Sequence, residues 1–159
     1  MMIQAGDKRS VSKLIKKGAN GNQINNLVYD NNSYDKLLLL SHTLSNMVVD
    51  MQHKTAYMYL TQQNLNKYNF KKGDTEGFVN YGLSIKGVKF AAIFIENEAE
   101  KIIKISFRSK GDFNVNEFSR NNFNGGGHIN AAGGYSKENL EATLLKFKNL
   151  LPDYKTKLN

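Results

Sequence analysis

With 159 residues the chain can bury one substantial core and carry one appendage. It has no cysteine, which excludes a disulfide framework and a thiolate metal site, and no apolar run approaches the roughly 20 residues that cross a bilayer. The net charge of +8, from 22 Lys and Arg against 14 Asp and Glu, favours an anionic partner such as nucleic acid, although most of the lysines are scattered singly or in pairs like ordinary solvated surface.

The polar start, with Gln4, Asp7 and Lys8 close behind Met1, lacks the apolar core of a signal peptide, so a soluble cytoplasmic protein without membrane association is expected. From Ser10 to about Met51 the pattern is helical. "SVSKLIKKG" closes on Gly18, "NQINNLVYD" is a short second helix, and a long third follows Ser33. In the third, Leu37, Leu40, Leu44, Met47 and Met51 alternate spacings of three and four, the stripe of a core-facing helix, and Leu38, Leu39 and Val48 widen it.

After about Gln52 the period changes. "KTAYMYL" reads as a strand, "TQQNLNKYN" as a helix from a Thr cap, and "DTEGFVNYG" as another short helix. "VKFAAIFIE" and "KIIKISFRS", joined by the polar "NEAE", suggest an antiparallel hairpin. "NVNEFSRNNF" has an Asn followed three residues later by Glu, a helix-start signature. A last helix is expected from near Ser136, with Leu140, Leu144, Phe147 and Leu151 on one face, stopping before Pro152. The fold class is α+β: a mixed or largely antiparallel sheet flanked by helices, with residues 1–51 as a helical segment and 52–159 as the β-containing domain.

Two stretches carry chemistry. In the second β run Ile103, Ile105 and Phe107 alternate with Lys104, Ser106 and Arg108, so Arg108 ends the strand on its polar face, ahead of Ser109, Lys110 and Gly111. A guanidinium is a planar fork suited to phosphate or carboxylate; a surface arginine in a rim ion pair is the plainer reading. The other stretch is "FNGGGHINAAGGYS", residues 123–136. Read as a turn leading into a helix, Gly125, Gly126 and Gly127 supply amides for an anion, His128 donates to a phosphate oxygen or stacks on a base, and Ala131, Ala132, Gly133 and Gly134 allow tight packing behind. A glycine-rich turn with an exposed histidine is the alternative.

"GGGHINAAGG", with "SFRSKG" about twenty residues earlier, closely resembles the nucleic-acid-binding domain that accompanies DHH phosphoesterases, the DHH-associated domain. That family includes RecJ-type exonucleases, NrnA-type oligoribonucleases that also dephosphorylate adenosine bisphosphate, and cyclic-dinucleotide phosphodiesterases. The similarity is closest to the NrnA type. It extends through "FKKGDTEGFVNYGLSIKGVKFAAIFIE" into the helical section, where "LIKKGA" and "LVYDNNSYDKLLLL" look like the end of the catalytic domain and its connecting helix. The resemblance implies a substrate-binding domain in which Arg108 grips a phosphate, Ser109, Lys110 and the amides of Gly125, Gly126 and Gly127 complete the cradle, and His128 sits nearest the scissile group.

Enzymes of that family bind two divalent metals, usually manganese, through Asp and His residues that include an Asp-His-His triplet. No such triplet is present here, and His42, His53 and His128 sit in no Asp/His cluster with ligand spacing. His42, within the apolar helix, reads as structural. Asp74 and Glu76 in "GDTEG" read as a helix cap and first-turn acid rather than as an acid–base pair, and no Ser-His-Asp spacing or Walker loop supports another catalytic scheme. The expectation is therefore the substrate-binding part of a metal-dependent oligoribonuclease or phosphatase, in a truncated or split member of the family, related to exopolyphosphatases. It would be inactive alone, with two Mn ions only in the missing domain, its partners being short RNA or DNA, nucleotide phosphate and a DHH catalytic domain in cis or trans. The alternative is a stand-alone nucleotide- or RNA-binding module. An uncovered helix between Leu37 and Met51 would favour a homodimer.

Overall fold

The computed structural model of the protein describes residues 32–158. The two helices expected before residue 31 lie outside the described residues. Along the rest, the elements are α1 (Tyr34–Ser45), β1 (Val48–Asp50), a 3-10 turn (Met51–His53), β2 (Thr55–Leu60), α2 (Gln62–Lys67) and α3 (Phe78–Ser84). Then come β3 (Phe90–Asn97), β4 (Ile102–Ser109), α4 (Val115–Asn122), β5 (Gly126–His128), β6 (Ala131–Ser136), α5 (Leu140–Leu150), a second 3-10 turn (Leu151–Tyr154) and α6 (Lys155–Leu158).

The strands form one mixed sheet in the order β1-β2-β3-β4-β6-β5, antiparallel everywhere except between β2 and β3. Strand alternation sorts its side chains into two cores. On one face Phe90, Phe94, Ile105 and Phe107 meet Phe118 of α4 and Phe147 of α5 in a cluster of interlocking rings. On the other, Met58, Leu60, Ala91 and Ile93 meet Leu39 of α1, Leu65 of α2, and Phe78 and Val79 of α3. The helices of this second layer are centred on β2 and β3. The corresponding face of β4 and β6 carries Lys104, Ser106, Gly133 and Tyr135, none of them fully buried.

Several local expectations hold for visible reasons. Thr61 and Asn64 form a reciprocal capping box at α2, and Asn114 caps α4 by accepting from Glu117 N at 3.1 Å. The long first helix differs. It stops at Ser45, and Val48 and Val49, both β-branched, pair with β2 instead of continuing the turn. Its buried positions are Leu39 and Thr43, whereas Leu37 remains 47% exposed. Asp74 does not cap α3: its Oδ2 accepts from Lys71 N at 2.8 Å, closing the preceding turn, and Gly77 occupies the N-cap. Ser136 ends β6, and α5 starts three residues later on Asn139, whose Oδ1 accepts from Ala142 N at 2.8 Å.

Candidate functional site

Register brings the two chemical stretches together. Arg108 of β4 lies opposite Ala91 of β3 and Ala131 of β6, and Ala131 lies opposite His128 of β5. Small neighbours on both sides leave room above the strand for the guanidinium. It is half-buried, its Nη1 donates to Phe107 O at 2.9 Å, and among the described residues no carboxylate pairs with it. Burial pushes its pKa below the ordinary arginine value, yet a guanidinium stays charged. His128, at the other end of the row, is exposed and has no hydrogen-bond partner among the described residues. In the neighbouring row Ser106 lies opposite Gly133 and Gly133 opposite Gly126. Beyond them Lys104, paired with the Glu100 carboxylate, faces Tyr135.

The glycine-rich stretch is not a turn running into a helix. It is the short edge strand β5 folded back on β6 through Ile129 and Asn130. Most of its glycines answer to the chain's own backbone: a Cβ on Gly125 would lie 1.9 Å from Gly133 O and 2.2 Å from Ser119 Oγ, and one on Gly134 would lie 2.6 Å from Phe123 O. Helix α4 is drawn in by those absences. Ser119 Oγ donates to Gly133 O at 2.7 Å, and Tyr135 N to Phe123 O at 2.7 Å. Gly127 N–H is also engaged, by Asn116 Oδ1 at 2.8 Å, so the three amides do not form an open cradle. Gly133 is the exception. A Cβ there would meet only Ile105 O at 3.6 Å, an ordinary contact.

Ser109 and Lys110 do not join Arg108. The alternation turns Ser109 to the opposite face, where it is buried, donates to Phe113 O at 2.6 Å and accepts from Asn130 Nδ2 at 2.9 Å. Lys110 Nζ donates to Leu83 O at the end of α3. Asn130, which sequence reasoning passed over, also donates to Gly111 O at 2.9 Å and so fixes the β5–β6 turn, and with it His128, against the end of β4. Asn116, Ser119 and Arg120 were missed as well. The spacing of Asn116 and Arg120 by four on a helix was the one local signal available, and Nε of Arg120 donates to Asn116 Oδ1 at 3.0 Å.

Among the described residues no three His, Asp or Glu side chains gather as a metal ligand set. Asp50 and His53 do meet at 2.6 Å, but that pair caps the 3-10 turn. His42 bonds Asn46 Nδ2 through Nε2 at 3.0 Å and packs against the Tyr68 ring. The donor set of a two-metal centre does not fit these residues.

The chain belongs to the DHHA1 domain family, whose match covers residues 46–152. Among solved structures, it is similar to an exopolyphosphatase-related protein from Bacteroides fragilis, with 38% identity and a TM-score of 0.87 over 96% of this chain and 45% of that one. It shares its fold with the pGpG-specific phosphodiesterase PggH from Vibrio cholerae, at 14% identity and a TM-score of 0.55 over 96% of this chain and 44% of that one. No curated protein matches it. The chain thus spans less than half the length of these solved relatives. No helix among the described residues is long and apolar enough to cross a membrane.

Proposed function

We propose that this chain is the substrate-binding part of a DHH-type phosphoesterase and holds the phosphate of a short oligoribonucleotide or nucleoside bisphosphate on the open face of β4 and β6. One observation carries the reading. Arg108 is a half-buried cation without a carboxylate, one row from Gly133, whose missing side chain the fold does not require. Partly desolvated charge gains from an anionic partner, and a bare strand position lets a phosphate, ribose or base approach the backbone.

In this reading Arg108 grips and orients the phosphate as a bidentate fork, and His128 contributes a ring N–H or a stacking surface at the end of the row. Bond cleavage is assigned to a metal-bearing DHH domain, joined in cis or supplied in trans. A cavity of about 400 Å³ between α1 and α3, lined by Leu37, Leu40, Phe78 and Tyr81 among others, supports docking of such a domain, because its helices belong to the layer on the same side of the sheet as Arg108.

The test is binding of a short 5′-phosphorylated oligoribonucleotide followed by fluorescence anisotropy. Arg108→Ala is expected to cost about 1.5–3 kcal/mol, the worth of a charge-assisted hydrogen bond, and His128→Ala to weaken binding with the melting temperature unchanged. Lys86→Ala, at an exposed lysine distant in sequence from both motifs, should bind like the wild type. A folded Arg108→Ala variant with undiminished affinity contradicts the reading.

A further inference from the structure

Helix α4 brings a second arginine to the glycine-rich strand. Arg120 Nε donates to Asn116 Oδ1 at 3.0 Å, and the same oxygen accepts Gly127 N–H at 2.8 Å, so one carboxamide clamps the guanidinium to β5. A Cβ on Gly126 would lie 3.4 Å from Nε and 3.6 Å from Cζ, tight enough to press on the group. Arg120 is exposed, forms no ion pair among the described residues, and keeps both Nη nitrogens without partners there. A guanidinium braced through Nε has lost part of its rotamer freedom before any ligand arrives.

The placement relative to Arg108 matters. His128 follows Gly126 by two residues on β5, a step of roughly 7 Å along the strand, and Arg108 lies two strands away in the His128 row, roughly 10 Å across the sheet. The two arginines therefore approach His128 from different directions. A ligand with a single phosphate can engage one of them; a ligand with two phosphates can engage both.

We propose that Arg120, braced by Asn116, binds a second phosphate of the ligand and makes the site selective for phosphorylated dinucleotides over nucleoside monophosphates. The proposal rests on the phosphate-binding face described above. Its test measures the affinity of the full chain for a 5′-phosphorylated diadenylate, which carries two phosphates, and for adenosine 5′-monophosphate, which carries one, over a range of salt.

Arg120→Ala is expected to lower dinucleotide affinity about tenfold, as loss of one charge-assisted contact would, and to leave monophosphate affinity within about twofold. The slope of log affinity against log salt should fall by about 0.7 for the dinucleotide, the value for one phosphate contact on a single strand. Arg120→Lys keeps the charge but not the braced fork, and should lose most of the selectivity. If Arg120→Ala leaves dinucleotide affinity and slope unchanged, or weakens both ligands equally, while Arg108→Ala weakens both, the second-phosphate role is wrong and the binding face stands. If Arg108→Ala alters neither ligand, the binding face itself is wrong and the role of Arg120 falls with it.

Discussion

Gly125 and Gly133 sit eight positions apart in one motif and lack side chains for opposite reasons. At Gly125 a Cβ would collide with a backbone carbonyl at 1.9 Å, whereas at Gly133 it would make an ordinary contact at 3.6 Å and project over an exposed strand position. Gly125→Ala should therefore lower the melting temperature sharply or prevent folding. Gly133→Val should match or exceed the wild-type melting temperature, because glycine inside a strand costs about 0.5–1 kcal/mol, while binding of a phosphorylated oligoribonucleotide drops at least about tenfold. Wild-type affinity in Gly133→Val would remove the argument for a ligand above that residue. Arg108 and His128 were legible in the sequence because alternation and a glycine run are local signals. Asn116 was not, since its partner Gly127 lies 11 residues away and the contact exists only once α4 is laid against β5.

At the scale of elements, strands β2 to β4 were legible from β-branched and aromatic runs bounded by polar turns, and α2 and α4 from their caps. The end of α1 was not. Its three-and-four spacing continues into Met47 and Met51, but pairing of Val48 and Val49 with β2 wins over the helical period. Asp50 then secures the corner. Its Oδ1 accepts from His53 N at 3.1 Å and its Oδ2 pairs with His53 Nδ1 at 2.6 Å. Burial pushes the Asp50 carboxyl up, but the side-chain and backbone hydrogen bonds from His53 outweigh it and hold the pKa below the ordinary 3.8. A depressed carboxyl stabilises the fold above its unfolded-state pKa and loses that contribution as pH falls through the folded value. Asp50→Ala should thus cost about 1 kcal/mol near neutral pH, as cap removal typically does, and the difference in melting temperature from wild type should close below pH 3.8. A gap that persists undiminished into strong acid would contradict the assignment.

For the molecule as a whole, the two faces of the sheet divide the labour. The Phe-rich face is sealed by α4 and α5, and the other is sealed over β2 and β3 but open over β4 and β6, which leaves Arg108 at the border between apolar core and solvent. Composition anticipated an anionic partner from the +8 charge, but net charge says nothing about which face it serves; the register of β4, β6 and β5 does. The open face is the central claim, and the most direct measurement is an amide-resolved NMR titration of the full chain with a 5′-phosphorylated diadenylate. The account predicts shifts concentrated at Arg108, Ala131, Gly133 and His128, with the amides of α5 and α6 unmoved. Saturable binding that leaves Gly133 and His128 unshifted, with the changes gathered on the α5 side, would contradict it.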